Sequence, residues 1–312
     1  MDYKFVKNSP EKYKNIQQLK KRSMGVDQEM VDIQKKYDTS TFGSRDIGFF
    51  AENDEGFPAA YYGVFPIRAT YKDKSIIIAQ SGDTMTDPDH RKRGLFTKLA
   101  IETYKFANNN GISFIFGFPN EFSYPGFKKK LDWKFFGNMY KFELKTNSFP
   151  LNELAKKYPS LKSFYRNLLE KRISKYKIDL TEDAIKPFEY QNEEFYINRD
   201  IAFYKYKEGL DKYLIKINGF TLFVRSDIHL FIGDVSRFEE DKLDAFIDTL
   251  KKVSKITLSR KVILTLSKTH WLYSLLEKKI TPEESLPIGY YIYSEEFPFE
   301  KMVLSMADYD TF

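Results

Sequence analysis

Four consecutive residues, Arg91-Lys92-Arg93-Gly94, stand directly before a helical pattern that begins at Leu95. The first amides of a helix have no partner within it, the helix dipole favours an anion there, and glycine lets that anion approach the backbone closely. Three cationic side chains add charge at the same point. Upstream, the apolar run of residues 76–79 reads as a buried strand, and a polar loop with Pro88 links it to the basic turn. Strand, basic-glycine turn, helix is an arrangement that cradles a phosphate. Other chemistry is excluded by what is missing: the chain has no cysteine, so neither a disulfide nor a thiolate nucleophile is available. His90, His229 and His270 are isolated and have no metal-ligand spacing.

The elements that must position this turn can be read on either side of it. Residues 3–6 alternate as a strand, and Ser9-Pro10-Glu11 opens a helix over residues 11–22, with serine as cap and proline at the first helical position. Residues 28–37 form a second short helix. Strands follow over residues 46–52, 57–71 (with a break at Pro66) and 75–86, joined by turns at 53–56 and 71–74. The helix after the basic turn covers residues 95–108, with Gly111 ending it. Residues 112–118 are almost wholly apolar, as in a central strand buried on both faces. Residues 135–144 read as the last strand of this domain.

The polar, helix-forming stretch 146–178 then reads as a linker, and a second domain as residues 179–312. Its pattern is a helix over 193–207, a hairpin of 213–217 and 220–224 turned at Asn218-Gly219, a strand at 228–235, a helix at 239–252, a strand at 262–266, a helix at 271–278, and strands at 290–293 and 302–305. That order repeats the first half. The basic-glycine turn is not repeated, since Gly233-Asp234-Val235-Ser236-Arg237 stands where it would fall. The basic run from Lys171 to Lys177 reads as a solvated helix end rather than a nucleic-acid patch.

Composition agrees with an ordinary globular chain. Of 312 residues, 42% are hydrophobic and 30% charged, and the net charge is +6. A modest positive balance suits an anionic cofactor as well as it suits a lysine-rich surface, and the basic residues are too scattered for a nucleic-acid-binding module. No apolar segment reaches transmembrane or signal-peptide length, so the expectation is a cytoplasmic protein with no membrane partner; a homodimer is left open.

Pro88 and Arg91-Lys92-Arg93-Gly94-Leu95-Phe96 together resemble the Pro-x-x-Arg-x-x-Gly-x-Gly/Ala signature of the GCN5-related N-acetyltransferases (GNAT), with Phe96 where glycine or alanine is usual. A second stretch, Asn120 and Ser123 followed by Pro125-Gly126-Phe127 and Trp133, is similar to that family's second signature. Phe127 falls where the family commonly has a tyrosine that protonates the leaving thiolate. Asp132 replaces a glycine, and Trp133 aligns only with one residue inserted. The resemblance implies an α/β (α+β) GNAT fold, a mixed central sheet flanked by helices, with acetyl-CoA as co-substrate, no metal, and acetyl transfer to a primary amine of a small molecule. The second half would then be a GNAT-like domain without the cofactor turn, and the two-part layout suggests an amino sugar of surface polysaccharide synthesis as the acceptor.

The resemblance also implies residue roles. Arg91, Lys92, Arg93, Gly94, Leu95 and Phe96 would hold the pyrophosphate of acetyl-CoA, Met85 and Thr86 would pair with its pantetheine arm, and Asn120 and Ser123 would contact it. Acetyl transfer needs a base for the amine proton and an acid for the thiolate. Asp83, near the end of its strand, is the candidate base, and Tyr124 is the candidate acid nearest to the missing phenol; Asp83 could equally bond only to loop backbone, Tyr124 pack, and Asn120 cap the next helix. Because phenylalanine cannot donate a proton, the alternative is a catalytically weak GNAT-fold protein that binds acyl-CoA or a partner. Aminoacyl transferases, which pair two GNAT-like folds, are a third reading, and they would require a broad basic groove.

Overall fold

The computed structural model describes every residue except Met1, Asp73, Glu189, Gln191, Asn192 and residues 294–296. Two compact units emerge, one made of residues 1–136 and 287–299, the other of 137–286 and 300–312. This differs from the expected division at 145 and 178, and the reason lies in two strands that each change unit along their length.

In the first unit the elements are β1 (Lys4–Lys7), α1 (Tyr13–Met24), α2 (Met30–Tyr37), β2 (Gly48–Glu52), β3 (Pro58–Tyr71), β4 (Lys74–Thr86), α3 (Leu95–Asn109), β5 (Ile112–Gly117) and α4 (Tyr124–Lys130). β1 to β4 pair antiparallel in sequence order, and β4 and β5 are parallel across the α3 crossover. Beyond β5 the sheet takes up the C-terminal end of the strand Glu283–Ile292, antiparallel, with Gly289 opposite Gly117 and Ile292 opposite Phe114. β3 runs unbroken through Pro66, which lies opposite Ala79; the fixed φ of proline suits extended backbone, so the expected break does not occur. The expected turn at 71–74 includes Asp73, outside the described residues.

Apolar side chains cover both faces of this sheet. On one, Leu95, Leu99 and Tyr104 of α3 and Phe127 of α4 pack on Tyr62, Val64 and Ala79; on the other, Ile16 and Leu19 of α1 and Ile33 of α2 pack on Phe50, Tyr61 and Phe65. Burying one such aliphatic side chain is worth about 1.5–3 kcal/mol, which outweighs the short, polar character of α1 and α2 taken alone.

The second unit begins inside β6 (Lys134–Lys145). It continues with α5 (Leu151–Lys157), α6 (Lys162–Ile173), α7 (Glu182–Ile185), β7 (Phe195–Ile197), α8 (Ile201–Lys207), β8 (Lys212–Ile217), β9 (Phe220–Ser226), β10 (Leu230–Val235), α9 (Leu243–Ile256), β11 (Lys261–Ser267), α10 (Tyr273–Leu276), β12 (Glu283–Ile292) and β13 (Met302–Val303). β8, β9 and β10 are antiparallel neighbours, β10 and β11 are parallel across α9, and β11 pairs antiparallel with β6 from Met139 to Lys145. The connectivity therefore repeats that of β2 to β5. At the β8–β9 turn Asn218 and Gly219 both have positive φ, 49° and 86°, as a two-residue hairpin requires.

Three expectations for this half are corrected. Residues 135–144 do not end the first domain, because most of β6 pairs with β11 of the second unit. The stretch 146–178 is no linker: Leu151, Tyr165, Leu169 and Ile173 of α5 and α6 are buried in this unit's core. Residues 193–207 are not one helix; β7 occupies 195–197, and Asp200 starts α8 by accepting from the Phe203 amide (2.8 Å). Alternating apolar residues Phe195 and Ile197 are both fully buried, a period-two pattern within a segment read at helical period. Among the described residues no helix is long and apolar enough to cross a membrane.

Candidate active site

α3 starts abruptly. Gly94 caps it with φ 72°, Lys92 also has positive φ (62°), and the first helical bond runs from the Lys98 amide to the Gly94 carbonyl (3.2 Å). The amides ahead of Lys98 in that turn therefore lie outside the helix's own ladder. Arg91, Lys92, Arg93 and Gly94 are all exposed, and among the described residues nothing beyond Gly94 and its chain neighbours lies within 4 Å of where a Gly94 Cβ would be. The turn is open toward solvent and carries residue types that can receive a phosphate.

The loop leading into it is held from α1. Asp87 accepts from the Asp89 amide (3.0 Å) and from Arg22, which also reaches Asp89 (3.0 Å). Hydrogen bonding to Arg22 keeps the Asp87 carboxyl below its usual range. His90 is buried beside the turn: its Nδ1 meets the Tyr3 hydroxyl at 2.8 Å and its ring stacks on Phe57. It is committed to packing the loop.

β4 and β5 diverge. Their parallel pairing runs from Ile77–Ile112 to Gln80–Phe116 and stops, while β4 continues to Thr86. The β5-facing edge of Ser81 to Thr86 is thus free of β5, and Thr86 leads to the cradle. Met85 turns its side chain the other way, into the core against α1 and α2, so any contact it makes in the cleft is through its backbone. Opposite Tyr62 of β3, the two residues Asp83 and Thr84 bulge out of β4, and Asp83 has φ 46°.

The bulge delivers the Asp83 carboxylate to α1 and α2. Lys20 lies 2.8 Å away, Lys36 3.0 Å, and the Tyr37 hydroxyl donates at 2.9 Å. Burial alone would push this carboxyl up, but the two ammonium groups win and hold it far below the usual carboxylate range. A carboxylate so paired is a weak base. Neither the proton-acceptor role expected for Asp83 nor its alternative, a bond to loop backbone, describes this environment. Lys20 and Lys36 were not singled out from sequence, because nothing in an amphipathic helix marks one lysine as turned inward.

At the second signature, Asn120 Oδ1 accepts from the Phe122 and Ser123 amides (3.1 and 3.0 Å), and Ser123 Oγ accepts from the Asn120 amide (3.1 Å). These bonds build the start of α4. The Tyr124 ring packs on Phe135, its hydroxyl accepts from Lys128 Nζ (3.3 Å), and it remains partly exposed. Phe127 is 4% exposed and packs against Trp133, Phe96 and Tyr62, with centroid distances of 4.3, 5.2 and 6.4 Å. Phe96, the departure from the first signature, is accommodated by a departure in the second element: a Cβ on Gly126 would fall 2.8 Å from Phe96 Cε1. The large ring and the missing side chain are one compensated pair.

A chain of polar groups lies beneath these rings. Trp133 Nε1 donates to the Tyr104 hydroxyl (2.8 Å), which meets the Tyr62 hydroxyl (2.9 Å), which meets Ser81 Oγ (2.7 Å). Burial holds both phenols firmly protonated. Ser81 itself is partly exposed, on the β4 segment that β5 has left.

In the second unit the equivalent turn is built differently. Asp234, near the end of β10, is bonded to Arg199 (2.8 Å), Tyr204 (3.0 Å) and Ser305 (2.9 Å), and Arg199 also meets Asp308 at 2.8 Å. Glu239, Glu240, Asp241 and Asp244 surround the start of α9. Acidic side chains there complement the helix dipole but repel a phosphate. The basic run that begins in the last turn of α6 has a local task as well: Arg172 donates to the Lys255 and Ile256 carbonyls at the α9 C-terminus (2.7 and 2.9 Å).

Residues 7–136 match the model of an acetyltransferase (GNAT) domain, a span that ends where the chain leaves the first unit. The same fold extends over nearly the whole chain. A GCN5-related N-acetyltransferase from Kribbella flavida aligns with a TM-score of 0.57 at 12% identity, covering 93% of this chain and 71% of its own. One from Anabaena variabilis aligns at 0.56 and 13%, covering 94% and 73%. The N-myristoyltransferase of Saccharomyces cerevisiae, in a structure with bound myristoyl-CoA, aligns at 0.54 and 8%, covering 93% and 82%. No curated protein matches the chain in sequence. Residues 7–136 thus carry the match to a GNAT acetyltransferase domain, and over nearly the whole chain the mixed α/β fold is that of the GCN5-related N-acetyltransferase structures.

Proposed function

We propose that the protein is an acetyl-CoA-dependent N-acetyltransferase acting on a primary amine of a small molecule. The observation that carries this is the open cradle of Arg91, Lys92, Arg93 and Gly94 at the start of α3, reached along the unpaired edge of β4. In this reading the first amides of α3 and the three cations bind the pyrophosphate. Leu95 and Phe96 seat the helix start on the core, and backbone groups of Met85 and Thr86 extend the site along β4. Asn120 and Ser123 act by fixing the start of α4, not by touching the acyl donor.

Transfer then needs the amine nitrogen to attack the thioester carbonyl, the C–S bond to break, and the amine proton to leave. Asp83 is assigned to shaping β4, with its carboxylate neutralised by Lys20 and Lys36, and the amine is taken to lose its proton to water. Tyr124, partly exposed and one turn before Phe127, is the phenol available to the departing thiolate. An amino sugar of surface polysaccharide synthesis is kept as the first acceptor to try. Buried Phe127 favours one other reading, an acyl-CoA-binding protein with little turnover.

The test is thermal unfolding with and without acetyl-CoA, for the wild type and Gly94→Glu, followed by thiol release across a panel of amines including amino sugars. Ligand at 100 times its Kd stabilises by about 2.7 kcal/mol. Stabilisation lost in the variant supports the reading. No stabilisation at millimolar acetyl-CoA overturns it, and stabilisation without thiol release from any amine favours the binding protein.

A further inference from the structure

The polar chain from Trp133 to Ser81 has a fixed direction. An indole nitrogen only donates, so the Tyr104 oxygen accepts from Trp133. Tyr104 must then place its own proton on Tyr62, because a buried hydroxyl proton left without an acceptor costs about 1–3 kcal/mol. By the same requirement Tyr62 donates to Ser81 Oγ. Ser81, its lone pair occupied from behind, is left with a proton to give forward. It stands on β4 one residue beyond Gln80, the last residue paired with β5. Across from it is Gly117, the end of β5, where a Cβ would come within 3.3 Å of both Ser81 Cβ and Trp133 Cη2. The absence of a side chain at Gly117 is what leaves the serine uncovered at the apex of the cleft.

We propose that Ser81 is a catalytic hydrogen-bond donor to the carbonyl oxygen of the acyl thioester, aimed by the Trp133–Tyr104–Tyr62 chain. This rests on the acyl-CoA reading above and assigns a residue that neither signature contains. The direction of the chain also settles which kind of help it gives. The chain ends at an indole N–H, which has no proton to replace one passed along, so Ser81 cannot deliver a net proton to the leaving sulfur. It can stabilise negative charge growing on the carbonyl oxygen when the amine attacks, and that charge collapses back as the C–S bond breaks. Tyr62 and Tyr104 are positioning residues.

The experiment is isotope-edited infrared spectroscopy of [1-13C]acetyl-CoA bound to the full-length wild type and to Ser81→Ala, Ser81→Thr and Tyr62→Phe, with affinity and unfolding temperature measured alongside. A donor on the carbonyl lowers its stretching frequency. The expected result is a lowered band in the wild type and Ser81→Thr, return to the solution position in Ser81→Ala, and an intermediate band in Tyr62→Phe. A merely structural serine would change the unfolding temperature without moving the band. Acetyl-CoA bound by all variants with an unchanged band overturns the assignment and leaves the acyl-CoA reading intact. No binding of acetyl-CoA by the wild type overturns both.

Discussion

Replacing Asp83 by asparagine separates its two conceivable roles, because they predict opposite phenotypes. The carboxylate is 9% exposed and faces Lys20 and Lys36, whose side chains are 7% and 14% exposed. Removing one partner of a buried pair leaves an uncompensated charge and costs about 3–5 kcal/mol. Here two ammonium groups lose their shared carboxylate, and the Tyr37 hydroxyl loses a charged acceptor, so the upper part of that range is expected. For a unit of this size each kcal/mol lowers Tm by about 2–4 °C, giving a drop of at least about 8 °C. Trp133 lies in the first unit and Trp271 in the second, so emission in a Trp271→Phe background follows the first unit alone. Adding Lys36→Met to Asp83→Asn should recover part of the loss, since it removes one of the two positive charges the carboxylate balanced. The acid limb provides a second check. A carboxyl held below its unfolded value contributes stability that is full above about pH 4 and lost as pH falls through the folded pKa. That part of the acid dependence should vanish in the variant. A general base would behave otherwise: Asp83→Asn within about 1 kcal/mol of wild type, with activity abolished, would refute the reasoning.

Other expectations concern sites elsewhere. Gly126→Ala drives a methyl into the Phe96 ring and should destabilise by about 1–3 kcal/mol in urea unfolding, with Phe96→Leu rescuing it; equal losses with and without the second change would argue against the pair. Asp234→Asn leaves Arg199, itself 1% exposed, short of one of its two carboxylates and should cost about 3–5 kcal/mol in the second unit, read from Trp271 emission. His270 is buried near Arg199 and Arg237, and burial first, then those charges, push its pKa down to about 3. Its neutral Nδ1 accepts from the Leu272 amide at 3.2 Å. The unfolded chain takes up this proton near pH 6.5 and the folded one does not, so stability should fall as pH drops from about 6.5 toward 3. His270→Asn should flatten that slope between pH 6.5 and 4.5; an unchanged slope would count against it.

The basic-glycine turn at a helix start was legible because it depends on neighbours in sequence. A helix start, a glycine and three cations lie within one turn, and local chemistry defines them. The strands and helices near it were legible for the same reason, apart from Pro66, where a residue that cannot donate still fits extended backbone. What could not be read was set by long-range placement. Lys20 and Lys36 look like solvated lysines until the β4 bulge brings Asp83 to them. His90 looks like a surface residue until Tyr3 and Phe57 enclose it. Phe96 read alone is a departure from a signature; beside Gly126 it is half of a fitted pair. The boundary between the halves failed similarly. Residues 135–144 have an unmistakable strand pattern, but no pattern says which sheet a strand joins.

That last feature bears on how the molecule is made. β5 waits for an antiparallel partner at Gly289 to Ile292, encoded almost at the end of the chain, while β6 is synthesised early and waits for β11. During synthesis the first unit would therefore emerge with β5 still an unfilled sheet edge, an apolar one, for as long as the second unit takes to appear. A fragment cut at residue 145 or 178 carries the whole cradle and yet lacks the strand that finishes its sheet. Such a fragment should be recovered as an aggregating or loosely folded species, and a peptide covering residues 283–293, supplied in trans, is the natural agent to rescue it.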